Sequence, residues 1–197
     1  MKKLFLSAVA ISALCSSCET ADDIYAEKTS HKTYTTSTHH GTNNAYDQYR
    51  NIVNSFVYDQ KLDYHNNMRL FEQHVNHHIQ QNTDKMLYET MDWEILQQLC
   101  YADESLIEQL DYSAAFKESL RAILQEKNAS IPELTNATEK QIAATVLKMY
   151  GDYAGNGDDN KLGGNRIIAY AYGAQHSFTQ AVLYAGAIEL KMIHAPR

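Results

Sequence analysis

The sequence predicts an all-α fold, and the distribution of glycine and proline is the first reason. Neither residue occurs from Thr42 to Ile131. Because sheets need turns, and turns usually use these two residues, this run favours helices joined by short polar connections. Residues 167–188 contain no Asp, Glu, Lys or Arg and are rich in alanine and glycine. We therefore predict a compact bundle of about six or seven helices around an Ala/Gly-rich central C-terminal helix.

Five amphipathic helices are predicted before the first proline, since five apolar stripes have helical spacing. The stripes run from Tyr46 to Val57, Tyr64 to Ile79, Leu87 to Leu99, Leu106 to Leu110 and Phe116 to Leu124. After the proline, Thr138 stands three residues before Gln141, which is the spacing of a capping box. This pair predicts a helix that ends at Gly151, a residue type common at helix C-termini.

The final helix is predicted to begin at Asn165, as its N-cap, and to reach about His194. Alanines and glycines on several of its faces let neighbouring helices approach closely, which favours a buried, central position. The stretch is long enough to cross a bilayer. The polar residues between Gln175 and Gln180, at its centre, would make that insertion costly. We therefore expect this helix in the protein core.

The N-terminus has the layout of a targeting signal. Lys2 and Lys3 precede a mainly apolar run from Leu4 to Leu14, as in a secretory signal peptide. The following Cys15-Ser16-Ser17-Cys18 resembles a bacterial lipoprotein signal, in which small residues precede a cysteine that is acylated. Cys15 departs from the aliphatic residue usual three places upstream. The resemblance implies a lipid anchor at Cys18, which tethers a protein without spanning the membrane. An ordinary secretory signal cleaved nearby is the alternative.

Composition divides the chain into three parts. Residues 1–17 form the signal peptide, 18–42 a flexible polar tether and 43–197 a single helical domain. The tether is rich in Thr, Ser and His, and has too few apolar residues to offset the entropy of ordering. It is also the segment that would separate the helical domain from a lipid anchor at Cys18.

The charge and the cysteine count exclude several classes of protein. The chain has 17 basic and 24 acidic residues, so its formal charge is −7, and removal of Lys2 and Lys3 with the signal makes it more acidic. This balance argues against a nucleic-acid partner, which requires a basic surface. Three cysteines are too few for a disulfide-stapled mini-domain. Cys100, at the end of an apolar stripe, is expected to be a small buried hydrophobe.

Two histidines of the second predicted helix form the first candidate site. His74 and His78 are four residues apart, so both can project from one side of a helix and ligate a metal ion. The HExxH order is absent, and no third ligand is identifiable. A polar helix edge whose histidines face solvent explains the same spacing.

A polar stripe on the predicted final helix is the second candidate. Tyr172, His176, Gln180 and Tyr184 follow one another at four-residue steps. A histidine flanked by hydroxyls and an amide can line a pocket and act as an acid or base near neutral pH, which makes His176, Tyr172 and Gln180 catalytic candidates. A buried polar network satisfied across helices is the alternative.

The glycine-rich stretch 151–164 is predicted to be the one long loop of the domain. Asp152, Asn156 and Asp158 offer oxygen ligands for a cation, and Asp152 and Asn156 match the first and fifth positions of an EF-hand loop. The third position is Ala154 and the twelfth is Gly163, where an EF-hand has an oxygen ligand and a glutamate. An ordinary flexible loop is the alternative.

The end of the same loop predicts an anion site. Gly163 and Gly164 leave backbone N–H groups exposed just before the predicted helix start, and Asn165 and Arg166 follow them directly. Such N–H groups and an arginine can bind a phosphate or carboxylate at a helix N-terminus.

Together these features favour a helical protein-interaction module tethered in the bacterial cell envelope, facing the periplasm or the cell exterior. An inhibitor, immunity or assembly role fits the anchor, the tether and the lack of a catalytic signature. Two alternatives stay open: an envelope hydrolase or metal-dependent enzyme that uses His176 or the His74/His78 pair, and a cation- or small-ligand-binding protein that uses the 151–164 loop. No cofactor is predicted. The expected partners are the membrane, through Cys18, and a protein.

Overall fold

The structure, a computed structural model, describes residues 41–80, 87–125, 134–152 and 160–194. In these ranges the chain forms eight α-helices and no β-strand, which confirms the all-α prediction. The helices are α1 (Gly41–Ser55), α2 (Tyr64–Gln80), α3 (Trp93–Cys100), α4 (Glu104–Gln109), α5 (Ala114–Leu124), α6 (Ala137–Gly151), α7 (Asn160–Ala174) and α8 (Phe178–His194). The signal peptide, Cys18 and most of the predicted tether lie outside the described residues.

Short polar side chains set the starts of four helices. Asp92 caps α3 by accepting from the N–H groups of Glu94 and Ile95. Asp103, Ser113 and Asn136 cap α4, α5 and α6 in the same way. Each cap satisfies N–H groups that have no partner inside the helix, so the helices can follow one another without glycine or proline.

The segment before α3 is not helical, although the Leu87–Leu99 stripe predicted one continuous helix. Two side chains of α2 explain the difference. Asn76 exchanges two hydrogen bonds with the backbone of Glu89, and Glu72 accepts from the N–H of Met91. These bonds satisfy peptide groups of a non-helical segment, so the helix starts only after Asp92.

The C-terminal region forms two helices, so the single helix predicted from Asn165 to His194 is wrong. Residues 175–177 separate α7 from α8. Contacts between Arg166 and Glu189, and between Tyr172 and Tyr184, run in opposite directions along the two helices, which are therefore antiparallel. Ser177 caps the second helix, because its Oγ accepts from the N–H of Gln180 at 2.9 Å.

Glycine allows the close packing of this hairpin. A Cβ added to Gly173 would lie 2.4 Å from the carbonyl carbon and oxygen of Gln180, so the end of α7 touches the backbone of α8. A Cβ at Gly186 would lie 2.5 Å from the Phe71 ring of α2 and 3.1 Å from Val53 of α1. The absent side chains therefore set how near these helices can come.

The helix α8 contains the longest continuous buried run of the described chain. All its residues from Ala181 to Leu190 are buried, and it contacts α1, α2, α3 and α7. The helix α7 packs against α3 and α6 as well as α8. No helix of the described ranges has the length and apolar content needed to cross a membrane.

Candidate functional site

The connection between α1 and α2 is held in one shape by Asn67. This side chain is fully buried and accepts from the N–H of Asp59 at 2.8 Å. Its amide donates to the carbonyl oxygens of Asp59, Leu62 and Asp63 at 2.9 to 3.2 Å. Buried amides are stable only when bonded in this way, so the connection has a fixed backbone although it contains no glycine or proline.

The ordered connection lies against the C-terminal end of α8. The Tyr58 ring stacks on His194 with centroids 4.1 Å apart, and Gln60 is hydrogen-bonded to the same imidazole at 3.1 Å. At the start of α2, the hydroxyl of Tyr64 donates to the carbonyl oxygen of Ala187 at 3.0 Å. Three points of contact therefore join residues 58–64 to the last turns of α8.

Four exposed apolar side chains belong to the segments near this junction, and we call them the α8-end face. They are Val57 (84% exposed), Leu62 (37%), Tyr101 (82%) and Ile193 (61%). Lys191 lies next to one of them, since its ammonium is 5.4 Å from the Tyr101 ring, and it is also 5.9 Å from the Tyr64 ring. Single exposed apolar residues are common, whereas a contiguous group of them is typical of a binding surface. Sequence analysis missed this face, because its parts come from distant segments.

Cys100 lies beneath the α8-end face. It is buried, as the sequence predicted, and this burial raises the pKa of its thiol although the charge of Lys191 opposes the change. The thiol is therefore protonated at neutral pH and is a poor nucleophile. It contributes packing to this end of the molecule and not chemistry.

The predicted polar stripe is divided between two helices. Tyr172 belongs to α7, His176 to the connection, and Gln180 and Tyr184 to α8. The residues still lie together, since the Tyr172 ring is 5.6 Å from both the His176 and the Tyr184 rings. His176 is exposed, whereas Tyr184 is buried. The stripe therefore crosses the turn of the hairpin and does not follow one helix.

Several of these side chains hold the extended segment before α3. Gln180 donates to the carbonyl oxygen of Thr90 at 3.0 Å, and the hydroxyl of Tyr184 accepts from the N–H of Asp92 at 3.2 Å. Ser177 donates to the Glu89 carboxylate at 2.7 Å. Burial raises the pKa of the Tyr184 hydroxyl, and burial together with the charge of Asp92 raises that of Tyr172. These contacts give Gln180 and Tyr184 hydrogen-bond partners within the protein.

The structure brings the predicted histidine pair together at the end of α1. The rings of His74 and His78 have centroids 4.4 Å apart, and Ser55 Oγ lies 3.1 Å from His74 Nε2 and 3.5 Å from His78 Nε2. Partial burial lowers the pKa of His74, and the charges of His78 and His77 add to this, whereas a bond to the Ile52 carbonyl opposes it. Among the described residues, no group of three or more His, Cys, Asp or Glu side chains is arranged to hold a metal.

The helix start on which the predicted anion site rests is not observed, because α7 begins at Asn160 and not after Asn165. Gly163 and Gly164 are inside the helix, where their N–H groups are not at its first turn. Asn165 is buried and donates to the carbonyl oxygen of Cys100 at 2.7 Å, so it packs α7 against α3 and caps nothing. The sequence suggested a helix start at the glycine pair, but the helix continues through it.

Arg166, the charged residue of the predicted anion site, donates to groups of the protein itself. It is buried and donates to Glu189 Oε2 at 2.7 Å and to the carbonyl oxygen of Met149 at 2.5 Å. Glu189 also accepts from the Tyr49 hydroxyl at 2.6 Å and from Arg50 at 2.7 Å. Burial alone would raise the pKa of Glu189, but the charge of Arg166 and these bonds lower it, so the carboxylate is ionised.

The predicted loop 151–164 is described at both ends, and the prediction is wrong for its last part, because residues 160–164 belong to α7. Asp152 caps the end of α6, is exposed, and lies 3.8 Å from the guanidinium of Arg50. Asn156 and Asp158 lie outside the described residues. The cation-binding prediction therefore stays a prediction.

These observations define an all-helical domain with an internal charge network and an ordered apolar surface at one end. No family model, no curated protein and no solved structure matches the chain. The apolar surface is the α8-end face, and the polar clusters predicted from the sequence divide into an internal network and the His74/His78 pair.

Proposed function

We propose that this chain is a bacterial envelope lipoprotein, anchored through Cys18, whose helical domain binds a protein partner as an inhibitor, immunity factor or assembly subunit. One observation carries the binding part of the proposal. The connection held by Asn67 carries the exposed Val57 and Leu62 on a backbone that is already ordered, and its Tyr58 ring stacks on His194, the residue after the exposed Ile193. Binding to such a surface costs little additional backbone entropy.

The composition of the α8-end face also supports a protein as the ligand. Tyr101 offers a large, nearly fully exposed ring, and aromatic side chains contribute strongly to protein interfaces. Lys191 lies beside that ring. Its positive charge would pair directly with an acidic or carbonyl-rich surface on a partner. An apolar centre with a polar margin is the usual anatomy of an interface.

A binding role is favoured over catalysis by the partners of the catalytic candidates. Gln180 is hydrogen-bonded to the segment before α3, and Tyr172 contacts the rings of His176 and Tyr184. His176 itself is exposed. Among the described residues its side chain contacts the ring of Tyr172 and no hydroxyl or thiol nucleophile. General acid–base or nucleophilic chemistry needs such groups within hydrogen-bonding reach of one another.

The same proposal includes the arrangement of the helices. We infer a bundle in which α1, α2, α3 and α6 surround the α7–α8 hairpin, since each of these four helices contacts at least one helix of the hairpin. The hairpin replaces the single central helix that the sequence predicted. In this arrangement the α8-end face is formed by one end of the bundle.

The experiment is affinity capture from envelope extract, with the chain lacking residues 1–17 and carrying Cys18→Ser as bait. The test variant is Val57→Ser with Ile193→Ser, and the control is Leu87→Ser. Leu87 matches Val57 in exposure, at 85% against 84%. It lies in the segment before α3, which packs near the start of α8 and not near its end. The helical content of each bait is checked by circular dichroism.

We expect the unmodified bait and Leu87→Ser to retain the same single protein in equal amounts, and the double variant to retain at least tenfold less. Asn67→Ala tests the ordered connection separately, since it removes no exposed apolar side chain and should also weaken retention. Equal retention by all correctly folded baits would overturn the assignment to this face. Retention of nothing by the unmodified bait would count against protein binding itself.

A further inference from the structure

The histidine pair at the end of α1 has a geometry that the interaction proposal does not use. His74 and His78 lie one turn apart on α2, and their rings have centroids 4.4 Å apart. Both Nε2 atoms face the same atom, Ser55 Oγ, at 3.1 Å and 3.5 Å. The same ring nitrogen of each histidine therefore points toward one position between the two helices.

That position has a second feature that favours a cation. Ile52 is in the last turn of α1, and its carbonyl oxygen lies 3.0 Å from both His74 Nε2 and Ser55 Oγ. The last carbonyl groups of a helix have no partner within the helix, and they carry the negative end of the helix dipole. An ion beside the two Nε2 atoms would thus be close to a carbonyl oxygen and a hydroxyl oxygen that both favour positive charge.

The chemistry of the donors selects the kind of ion. Imidazole nitrogen is a preferred ligand of zinc, copper and nickel, whereas calcium and magnesium prefer oxygen. In a tetrahedral zinc site the bonds to nitrogen are about 2.0–2.1 Å long, so two ligating imidazoles must lie close together, as two rings with centroids 4.4 Å apart do.

We propose that His74 and His78 together bind one divalent late transition-metal ion, with zinc as the representative, through their Nε2 atoms. Water fills the remaining positions, and the Ser55 hydroxyl turns aside from the space it shares with the two nitrogens. Each histidine binds as neutral imidazole with its proton on Nδ1, so the Nε2 contacts to Ser55 and Ile52 are replaced by bonds to the ion. The ion joins the end of α1 to the middle of α2.

The test is titration of the chain lacking residues 1–17, with Cys18→Ser, using zinc ions alone and isothermal calorimetry. His74→Gln and His78→Gln each remove one ligand. His77→Gln is the matched control, because it removes an exposed imidazole from the same helix and leaves the pair in place. A fourth variant replaces the histidines of the predicted tether, His31, His39 and His40, with serine. Melting temperature with and without zinc is the second readout.

We expect one site whose affinity falls at least tenfold in His74→Gln and in His78→Gln, and stays within twofold in His77→Gln and in the tether variant. Zinc should raise the melting temperature of the unmodified chain and of the two controls, because an ion bound to the native state stabilises it. It should not raise that of the His74 or His78 variant. Equal zinc affinity in all variants, or a loss confined to the tether variant or to His77→Gln, would overturn the assignment.

Discussion

Glu189 is the residue at which the charges of the core meet. Its carboxylate accepts from Arg166, Arg50 and the Tyr49 hydroxyl, and thereby connects α8 with α7 and α1. A buried carboxylate is costly unless its oxygens are bonded, and here both are. The residue therefore ties three helices together through one ionised group, and its protonation state matters for stability.

The first prediction is that Glu189→Gln lowers the free energy of unfolding by about 3 kcal/mol at pH 7, because two arginines lose their carboxylate partner. The pKa of Glu189 in the folded protein is below its ordinary value of 4.5. The stabilisation that the ionised carboxylate gives the folded state is therefore complete above pH 4.5, and it is lost as the pH falls through the lowered pKa. The stability difference between the two proteins should therefore narrow below pH 4.5. Urea unfolding at several pH values measures it.

Glu118→Gln is the control for this prediction. Glu118 is exposed and pairs with Arg121 at 3.2 Å on the surface of α5, so its replacement should change stability by less than about 0.5 kcal/mol. A constant difference between the Glu189 variant and the unmodified protein from pH 7 to pH 3 would show that Glu189 is not the ionised centre described.

At the scale of elements, the helices that sequence analysis placed correctly are those whose boundaries depend on nearby residues. Helix α5 begins after Ser113, whose hydroxyl accepts from the N–H of Phe116, and its apolar stripe from Phe116 to Leu124 has helical spacing. Such caps and stripes are local, so they can be recognised without knowledge of the fold.

The two elements that were wrong have different causes. The Leu87–Leu99 stripe has helical spacing throughout, but Asn76 and Glu72, from a distant segment, bind the backbone of its first part and keep it out of the helix. The α7–α8 break has local causes, the cap at Ser177 and the approach of Gly173 to the backbone of Gln180. The uncharged, alanine-rich run on both sides of Ser177 was nevertheless interpreted as one helix.

The candidate sites also divide into those that nearby residues reveal and those that depend on contacts between distant segments. The His74/His78 pair was found because its spacing lies within one helix. The α8-end face was missed because it depends on Tyr58 meeting His194 from the other end of the chain. The pairing of Arg166, a residue of the predicted anion site, with Glu189 was not foreseen, because the position of Glu189 relative to α7 depends on the hairpin.

The second prediction concerns the close approach of the helices. Gly173→Ala and Gly186→Ala should each lower the free energy of unfolding by about 1–3 kcal/mol, since the added methyl meets backbone of α8 in one case and the Phe71 ring in the other. The expected fall in melting temperature is about 2–4 °C per kcal/mol for a domain of this size. Differential scanning calorimetry measures it.

Gly151→Ala is the matched control, because a Cβ there meets nothing within 4 Å. It should leave stability unchanged or raise it, by less than about 1 kcal/mol, through the better helix propensity of alanine. If all three alanine variants melt together, close approach at Gly173 and Gly186 does not limit the packing of the hairpin.

At the scale of the whole molecule, the proposed anchor determines where the α8-end face can meet a partner. The chain is acidic, with 24 acidic against 17 basic residues, so its helical domain has no general attraction to an anionic membrane surface. Attachment to a membrane would therefore depend on acylation at Cys18, and a partner would be met from a tethered position. A binding domain fixed near a membrane reaches a high effective concentration toward other membrane-bound proteins.

The third prediction is that Cys18→Ser abolishes incorporation of labelled palmitate in a bacterial host and moves the protein from the membrane to the soluble fraction. Each buried methylene of an acyl chain contributes about 0.8 kcal/mol to membrane binding, so loss of the acyl chains removes that contribution. Cys15→Ser is the control: it keeps the Ser16-Ser17-Cys18 ending and should keep both label and location. Label that persists in Cys18→Ser and disappears in Cys15→Ser would place the anchor at Cys15. Unlabelled protein in every case would instead support the ordinary secretory signal, and would leave the α8-end face to act without a membrane.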